Sequence, residues 1–366
     1  MATSADNGDD ALAALRGRID GLDQQLLELL SERARAAQEV AAVKAARGDT
    51  HFYRPEREAQ VLRTVKERNP GPLSGEEMAR LFREIMSACL ALEQPVKVAF
   101  LGPEGTFTQA AAAKHFGDSA LVMPLPAIDE VFREVAAGAA DYGVVPVENS
   151  TEGVVNHTLD SFIDSSLQIC GEVELRIHHH LLIGPNTRPD TITRVYSHPQ
   201  SLAQCRKWLD AHLPRAERIT LNSNAEAARR VSGEWSSAAI AGAMAESLYG
   251  LTRLHSNIED QPDNTTRFLI IGRESVALSG DDKTSVMVSV RNEPGALYHL
   301  LAPFQKHGVD LTRIETRPSR TRRWSYVFFI DFAGHCDDPR VRRTLDEIIP
   351  RVVELRVLGS YPRAVL

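Results

Sequence analysis

Three stretches of the chain carry three different hydrophobic periods. From residue 11 to about residue 47, Leu15, Leu22, Leu29, Ala36 and Val43 recur every seven positions, with Ile19, Leu26 and Val40 interleaved. Apolar residues three and four apart share one helix face, so this spacing predicts a single long amphipathic helix. At about 1.5 Å per residue it would run roughly 50 Å, further than a small helical unit covers by itself. A second copy of the chain is therefore expected on the seam. Another helix is predicted from Pro55, since proline suits a first helical position, and a third after Ser74, where Glu77 completes a capping box.

From Val96 to about Gly272 the period changes to short apolar runs alternating with helical stretches: "KVAFL", "YGVVPV", "HLLI", "RVYS", "AAIA" and "RFLII". This is the pattern of an α/β unit, long enough for two lobes with a cleft between them. The polar stretch 279–282 reads as a linker. Residues 284–366 then give strand, helix, two strands, helix and strand, the βαββαβ order of a small α+β domain. The expected division is 1–95, 96–275 and 284–366.

Composition narrows the partners. In 366 residues, 42 Lys and Arg stand against 49 Asp and Glu, a net charge of -7. That balance gives no reason to expect nucleic acid or an anionic membrane, and an anionic small molecule would need local basic clusters. Cys89, Cys170, Cys205 and Cys336 form no CxxC pair, which argues against a zinc site or a disulfide framework. "MATSADNGDD" is acidic and polar, and no apolar run is long enough for a signal core or a membrane span, so a cytoplasmic protein is expected.

Charges interrupt the apolar seam of the first helix. Arg33 stands where Ile19, Leu26 and Val40 predict an apolar residue, and Lys44 follows eleven residues on, about three turns and 16 Å along the same face. Arg16 is roughly a quarter turn out of phase, so it is placed to reach a partner's pocket sooner than its own. Glu93 lies in line with Phe82, Met86 and Cys89 on the third helix. Singly, each reads as a snorkelling or capping side chain. Together with Arg57 and Glu58 they describe a cation-lined pocket for a dicarboxylate.

The segments "LRGRIDGLDQQLLELLSERARAAQEVAAVKAARG", "YRPERE" and "LFREIMSACLALEQ" resemble the helical chorismate mutase family. The resemblance implies an intertwined helical dimer without cofactor, with Arg16 acting in the other subunit's site. Arg33 and Lys44 would hold substrate carboxylates and the ether oxygen, while Arg57 and Glu58 would form the wall, Glu58 facing the ring hydroxyl. Cys89 and Glu93 would be contacts of the last helix. Arg54 stands where many relatives carry Asp. Fixed cations suit an intramolecular rearrangement, because they hold the folded conformer and stabilise charge on the breaking ether bond. Glu93 must be protonated to donate there, and apolar surroundings should raise its pKa.

The set "GPEGTFT", "DYGVVPVENSTEGVVNHTLD", "YSHPQSLAQC", "SNAEAAR", "AAIAGAMAESLYGL" and "EDQPDNTTRFLII" resembles prephenate dehydratases. That resemblance implies two lobes like those of periplasmic binding proteins, with prephenate in the cleft. It makes Thr266 the donor that assists loss of the ring hydroxyl, with Arg267 and Phe268 completing the motif. Thr106, Glu148, Asn149 and Ser150 are expected to line the pocket. His178, His179 and His180 invite a metal reading, but consecutive strand residues face opposite ways, so only His178 and His180 could converge and a strand edge is expected instead. His198, before Pro199, reads as turn chemistry.

"RNEPGALYHLL" and "IETRPS" resemble the ACT domains attached to prephenate dehydratases. By that resemblance Asn292, Gly295, Ala296, Leu297, Glu315, Thr316, Arg317 and Pro318 would bind phenylalanine between two subunits, with Thr316 in place of a serine. Arg317, Arg320, Arg322 and Arg323 read as a solvated hairpin. The expected protein is a bifunctional mutase and dehydratase inhibited by phenylalanine, a homodimer or higher oligomer, needing no metal or organic cofactor. Its rivals are a catalytically silent amino-acid sensor, which loss of Thr266 and the seam cations would have favoured, and a solute-binding protein, which the absence of a signal core disfavours.

Overall fold

The computed structural model describes residues 5–48, 53–291, 293–318 and 326–366, the first four of these by backbone alone. The N-terminal unit holds helices α1 (Ala5–Ala46), α2 (Pro55–Arg68) and α3 (Gly75–Glu93). Ser74 caps α3 as the sequence predicts, its hydroxyl accepting from the Glu77 N–H, but the Glu77 carboxylate pairs with Arg80 instead of completing the capping box. Leu15, Leu22, Leu26 and Leu29 of α1 are exposed in the single chain, each about half accessible. The face of α1 that carries Arg33 and Lys44 is instead partly covered, and α1 lies against α3.

The next unit is two-lobed. Lobe 1 is built from β1 (Lys97–Leu101), α4 (Phe107–Phe116), β2 (Leu121–Leu125), α5 (Ile128–Ala136), β3 (Tyr142–Asn149), β4 (Gly153–Val154), α6 (Asn156–Asp164) and β5 (Gln168–Arg176). Lobe 2 follows with β6 (His180–Ile183), β7 (Arg194–Ser197), α7 (Pro199–Gln204), α8 (Arg206–His212), β8 (Glu217–Thr220), α9 (Asn224–Val231), β9 (Ser237–Ala241), α10 (Ala243–Tyr249) and β10 (Thr252–His255). The chain then returns to lobe 1 as β11 (Thr265–Gly272), giving strand orders β2-β1-β3-β11-β5 and β10-β6-β9-β7-β8. The two crossings run side by side, the Ile177 N–H bonded to the Asn264 carbonyl and the Ile258 N–H to that of His179.

The C-terminal unit comprises β12 (Asp282–Ser289), α11 (Ala296–His307), β13 (Leu311–Pro318), β14 (Tyr326–Ala333), α12 (Pro339–Ile348) and β15 (Glu354–Pro362). Its antiparallel sheet has the order β13-β14-β12-β15. One face packs on α11 and α12 through Val286, Val288, Ile330 and Phe332. The other face lies on lobe 1, where Met287, Phe329, Leu358 and Tyr361 share a core with Val145, Leu269 and Ile271. No helix among the described residues is long and apolar enough to cross a membrane.

Candidate active sites

Strand β11 presents opposite faces on successive residues. Thr266 and Phe268 face the side of the sheet covered by α4, where Phe268 packs into the core with Phe100 and Phe116. Phe268 is thus a core residue and does not line the cleft cavity between the lobes, contrary to expectation, because its ring fills the space under α4. Opposite β11, strand β3 carries one extra residue. Phe268 is paired with Pro146 but Arg267 with Glu148, so Val147 forms a bulge. A bulge reverses which residues face which side. Here it sets Asn149 beside Thr266 on the cleft face and Glu148 beside Arg267 on the other.

Thr266 lines a cavity of about 220 Å³ between the lobes. Asn149 Oδ1 accepts from the backbone N–H groups of Thr151 and Glu152 at 3.0 and 3.1 Å, which fixes the amide so that Nδ2 faces Thr266. Nδ2 donates to Thr266 Oγ1 and to Asn264 Oδ1, each at 2.8 Å. The Thr266 oxygen is thereby an acceptor within the protein, and its own proton is left for a guest.

None of the residues lining this cavity is Asp, Glu, Lys or Arg. The expected basic cluster is replaced by converging helix ends: Thr106, His198, Ser223 and Gly242 are the N-cap residues of α4, α7, α9 and α10, and all four line the cavity. Helix N-termini carry partial positive charge and unpaired N–H groups, a setting for carboxylates without formal cations. Gly105, at φ +85, turns the chain into α4 in a conformation other residues rarely adopt.

His179, passed over by sequence reasoning, lines the same cavity. Its Nε2 is 2.9 Å from Gln204 Oε1, which also accepts from Asn264 Nδ2 at 3.1 Å, so Nε2 is the donor. Burial lowers the pKa of His179 despite opposing contributions from Gln204 and Glu259. The neutral ring keeps a lone pair on Nδ1, which is buried without a partner. His178 instead bonds Glu259 at 2.8 Å and stacks with His180; the expected strand edge is not formed, since His178 and His179 lie in the crossing between β5 and β6 and His180 opens β6, which is flanked by β10 and β9. His198 serves the predicted turn chemistry, its Nδ1 accepting from the Gln200 N–H, and burial lowers its pKa as well.

Besides Phe268, three expected cleft residues lie elsewhere. Arg267 points across the sheet into the C-terminal unit, and its donors bond Glu172, Asp331 and Tyr361. Glu148 forms an ion pair with Arg313 of β13 at 3.0 Å. Ser150 accepts from the Thr265 N–H and borders a neighbouring hollow beside Thr151 and Gln204.

In the N-terminal unit the structure brings Arg33, Lys44 and Glu93 together. Burial raises the pKa of Glu93, while the charges of Lys44 and Arg33 lower it. Cys89 is buried on the same helix. Arg16, Arg54 and Arg57 are exposed. Glu58 departs from expectation: it pairs at 2.9 Å with Arg83, which also donates to the carbonyls of Lys114 and His115 at the end of α4. Burial raises the Glu58 pKa against the pull of Arg83 and a hydrogen bond from Tyr53. A carboxylate so held docks α2 and α3 onto lobe 1, and a substrate hydroxyl would have to compete with that pairing.

The C-terminal expectations divide along β13. Glu315 and Arg317 alternate toward lobe 1, where Arg317 grips Asp160 at 2.8 and 2.9 Å, whereas Thr316 and Pro318 lie exposed on the opposite face of the strand. The four side chains of one subunit cannot all meet a single ligand, because alternate strand residues face opposite ways. Gly295 takes φ +81 ahead of Ala296 and Leu297. Asn292, Arg320, Arg322 and Arg323 lie outside the described residues. Among the described residues one triad, His335, Cys336 and Asp337, brings possible metal ligands within 4.8 Å, but both His335 nitrogens already bond, to the Val276 carbonyl and the Asp337 N–H.

Comparison with known proteins matches the three units separately. Residues 98–276 match the prephenate dehydratase family, residues 15–94 chorismate mutase type II and residues 284–350 the ACT domain. The bifunctional chorismate mutase/prephenate dehydratase of Pseudomonas aeruginosa is 66% identical over 361 residues, spanning 98% of this chain and 99% of that protein. The protein of the same description from Neisseria gonorrhoeae is 49% identical over 360 residues, again 98% and 99%. Among solved structures, prephenate dehydratase from Arthrobacter aurescens in complex with L-Phe aligns with a TM-score of 0.69 at 37% identity, covering 74% of this chain and 90% of that one.

Proposed function

The chain belongs to the bifunctional chorismate mutase/prephenate dehydratase family, and from that premise we propose how its residues divide the work. The helical unit rearranges chorismate to prephenate. Arg33 and Lys44 hold the carboxylates and the ether oxygen, and Glu93, whose pKa burial raises, donates a hydrogen bond from its protonated form as charge develops there. The exposed leucine seam of α1 is covered by a second copy, whose Arg16 completes the site, with Arg54 and Arg57 at the rim and Cys89 beneath.

The two-lobed unit converts prephenate to phenylpyruvate. The ring carboxylate leaves as carbon dioxide, the electron pair of the broken C–C bond enters the ring, and the C–O bond at the opposite carbon breaks as hydroxide takes a proton to become water. Thr266 donates a hydrogen bond to that departing oxygen. The observation that carries this reading is the Asn149 amide, which donates to the Thr266 oxygen and so leaves the hydroxyl proton free to be donated to the guest. The helix ends at Thr106 and Ser223 receive carboxylate groups, and His179 Nδ1 accepts from a substrate hydroxyl.

The C-terminal unit binds L-phenylalanine near Gly295–Leu297 and Thr316, and inhibition follows when one arrangement of the protein binds it more tightly. The test is direct. Purified protein supplied with chorismate should consume it and form phenylpyruvate, less so with phenylalanine present. Chorismate loss without phenylpyruvate would remove the dehydratase reading.

A further inference from the structure

The second residue of the Thr-Arg-Phe motif does not serve the cleft. Arg267 is mostly enclosed, its side chain 11% exposed, and its three donor nitrogens are each committed: Nε to Glu172 at 2.8 Å, Nη1 to Asp331 at 2.6 Å and Nη2 to the Tyr361 hydroxyl at 3.0 Å. Glu172 lies on β5 of lobe 1, but Asp331 and Tyr361 belong to β14 and β15 of the C-terminal sheet. The remaining strand of that contact joins in, since Lys283 of β12 bonds Glu172 at 2.7 Å and Ser285 bonds both Asp331 and Tyr361 at 2.6 and 2.8 Å. All the partners are buried. The neighbouring strand is held in the same way, Glu148 being paired with Arg313 directly opposite Arg267 in the register.

One peptide unit separates this junction from Thr266, on the other face of the same strand. We infer that Arg267 is a positioning residue, through which the C-terminal sheet fixes the placement of Thr266 and transmits ligand occupancy there to the dehydratase cleft. The inference rests on the assignment of Thr266 above and deepens it. Two strands of the C-terminal sheet, β14 and β15, hold the guanidinium at two points while β5 of lobe 1 holds it at a third, so a tilt or slide of the sheet pulls on β11 directly. Misplacing a reacting group by about 1 Å can cost on the order of a hundredfold in rate, so a small displacement is enough. A guest in the cleft does not touch Arg267, which separates positioning from binding by kinetics: a positioning defect lowers kcat, whereas a lost carboxylate contact raises KM.

The test uses the full-length protein with Asp331→Asn and, more gently, Tyr361→Phe, which removes one hydroxyl and keeps the ring. Each is assayed with prephenate at several L-phenylalanine concentrations, with phenylalanine binding measured by calorimetry and chorismate turnover followed as a control of folding. The expected result is a kcat for prephenate lowered about tenfold with little change in KM. Phenylalanine should still bind, yet maximal inhibition should shrink. If Asp331→Asn does not fold, Tyr361→Phe decides. Variants that melt earlier but keep the wild-type kcat and inhibition curve would reduce the junction to domain glue and overturn the inference. Wild-type protein inert toward prephenate would instead defeat the dehydratase assignment, and this inference with it.

Discussion

Replacing Thr266 by alanine removes one oxygen and one methyl group from the cleft floor. Its consequences for folding and for catalysis should separate cleanly. Asn149 Nδ2 loses one acceptor but keeps Asn264 Oδ1 at 2.8 Å and the Thr265 carbonyl at 3.5 Å, and Asn149 Oδ1 keeps both backbone partners. The folding cost is therefore that of a single hydrogen bond, about 1 kcal/mol. In the transition state the same oxygen faces a leaving hydroxide, and losing a preorganised donor there costs about 2.7–4 kcal/mol, or roughly 10²–10³ in kcat. The assay is phenylpyruvate formation from prephenate, with chorismate turnover in the helical unit as an internal control that should not move. Thr266→Ser keeps the oxygen and should recover most of the loss. The reasoning is refuted by a Thr266→Ala protein with near wild-type kcat, or by a loss residing wholly in KM, which would make Thr266 a ground-state ligand.

Three further outcomes follow from the same geometry. Burial raises the Glu93 pKa and the neutral acid is the donor, so mutase activity should be full below that raised pKa and fall about tenfold per pH unit above it; Glu93→Gln should flatten the profile, and matching profiles for the two proteins would exclude the role. His179→Ala should raise KM for prephenate about tenfold, as a buried acceptor is lost, with recovery in His179→Asn, whose amide oxygen can replace Nδ1, but not in His179→Gln; equal KM values in all three would remove His179 from the site. Arg83→Met strands the buried Glu58 carboxylate, so urea unfolding of the helical unit should show about 3–5 kcal/mol of destabilisation. Adding Glu58→Gln should return part of that, and a single variant as stable as wild type would show the pair to be dispensable.

The sequence by itself determined the division into three units, because each has its own hydrophobic period, and it determined the elements whose signal is local. The Ser74–Glu77 cap and the buried strands β1, β3, β6, β7, β9 and β11 fall in this class. It also aligned Arg33 with Lys44 on one helix and Glu93 with Cys89 on another, since helical spacing alone does that, but the meeting of the two faces is a tertiary result. The opposite orientations of Thr266 and Arg267 were implicit in strand alternation, yet nothing local says which face is the cleft. Tertiary structure decided that, by laying the C-terminal sheet on one side of lobe 1 and α4 on the other. It also decided the fate of Glu148 and Asn149, because the bulge at Val147 depends on pairing with a strand more than a hundred residues away. Glu58 and Arg317 were drawn from expected ligand sites into contacts between units for a related reason: a charged side chain is held by whichever partner compensates its desolvation, and that partner becomes a neighbour only once the chain has folded.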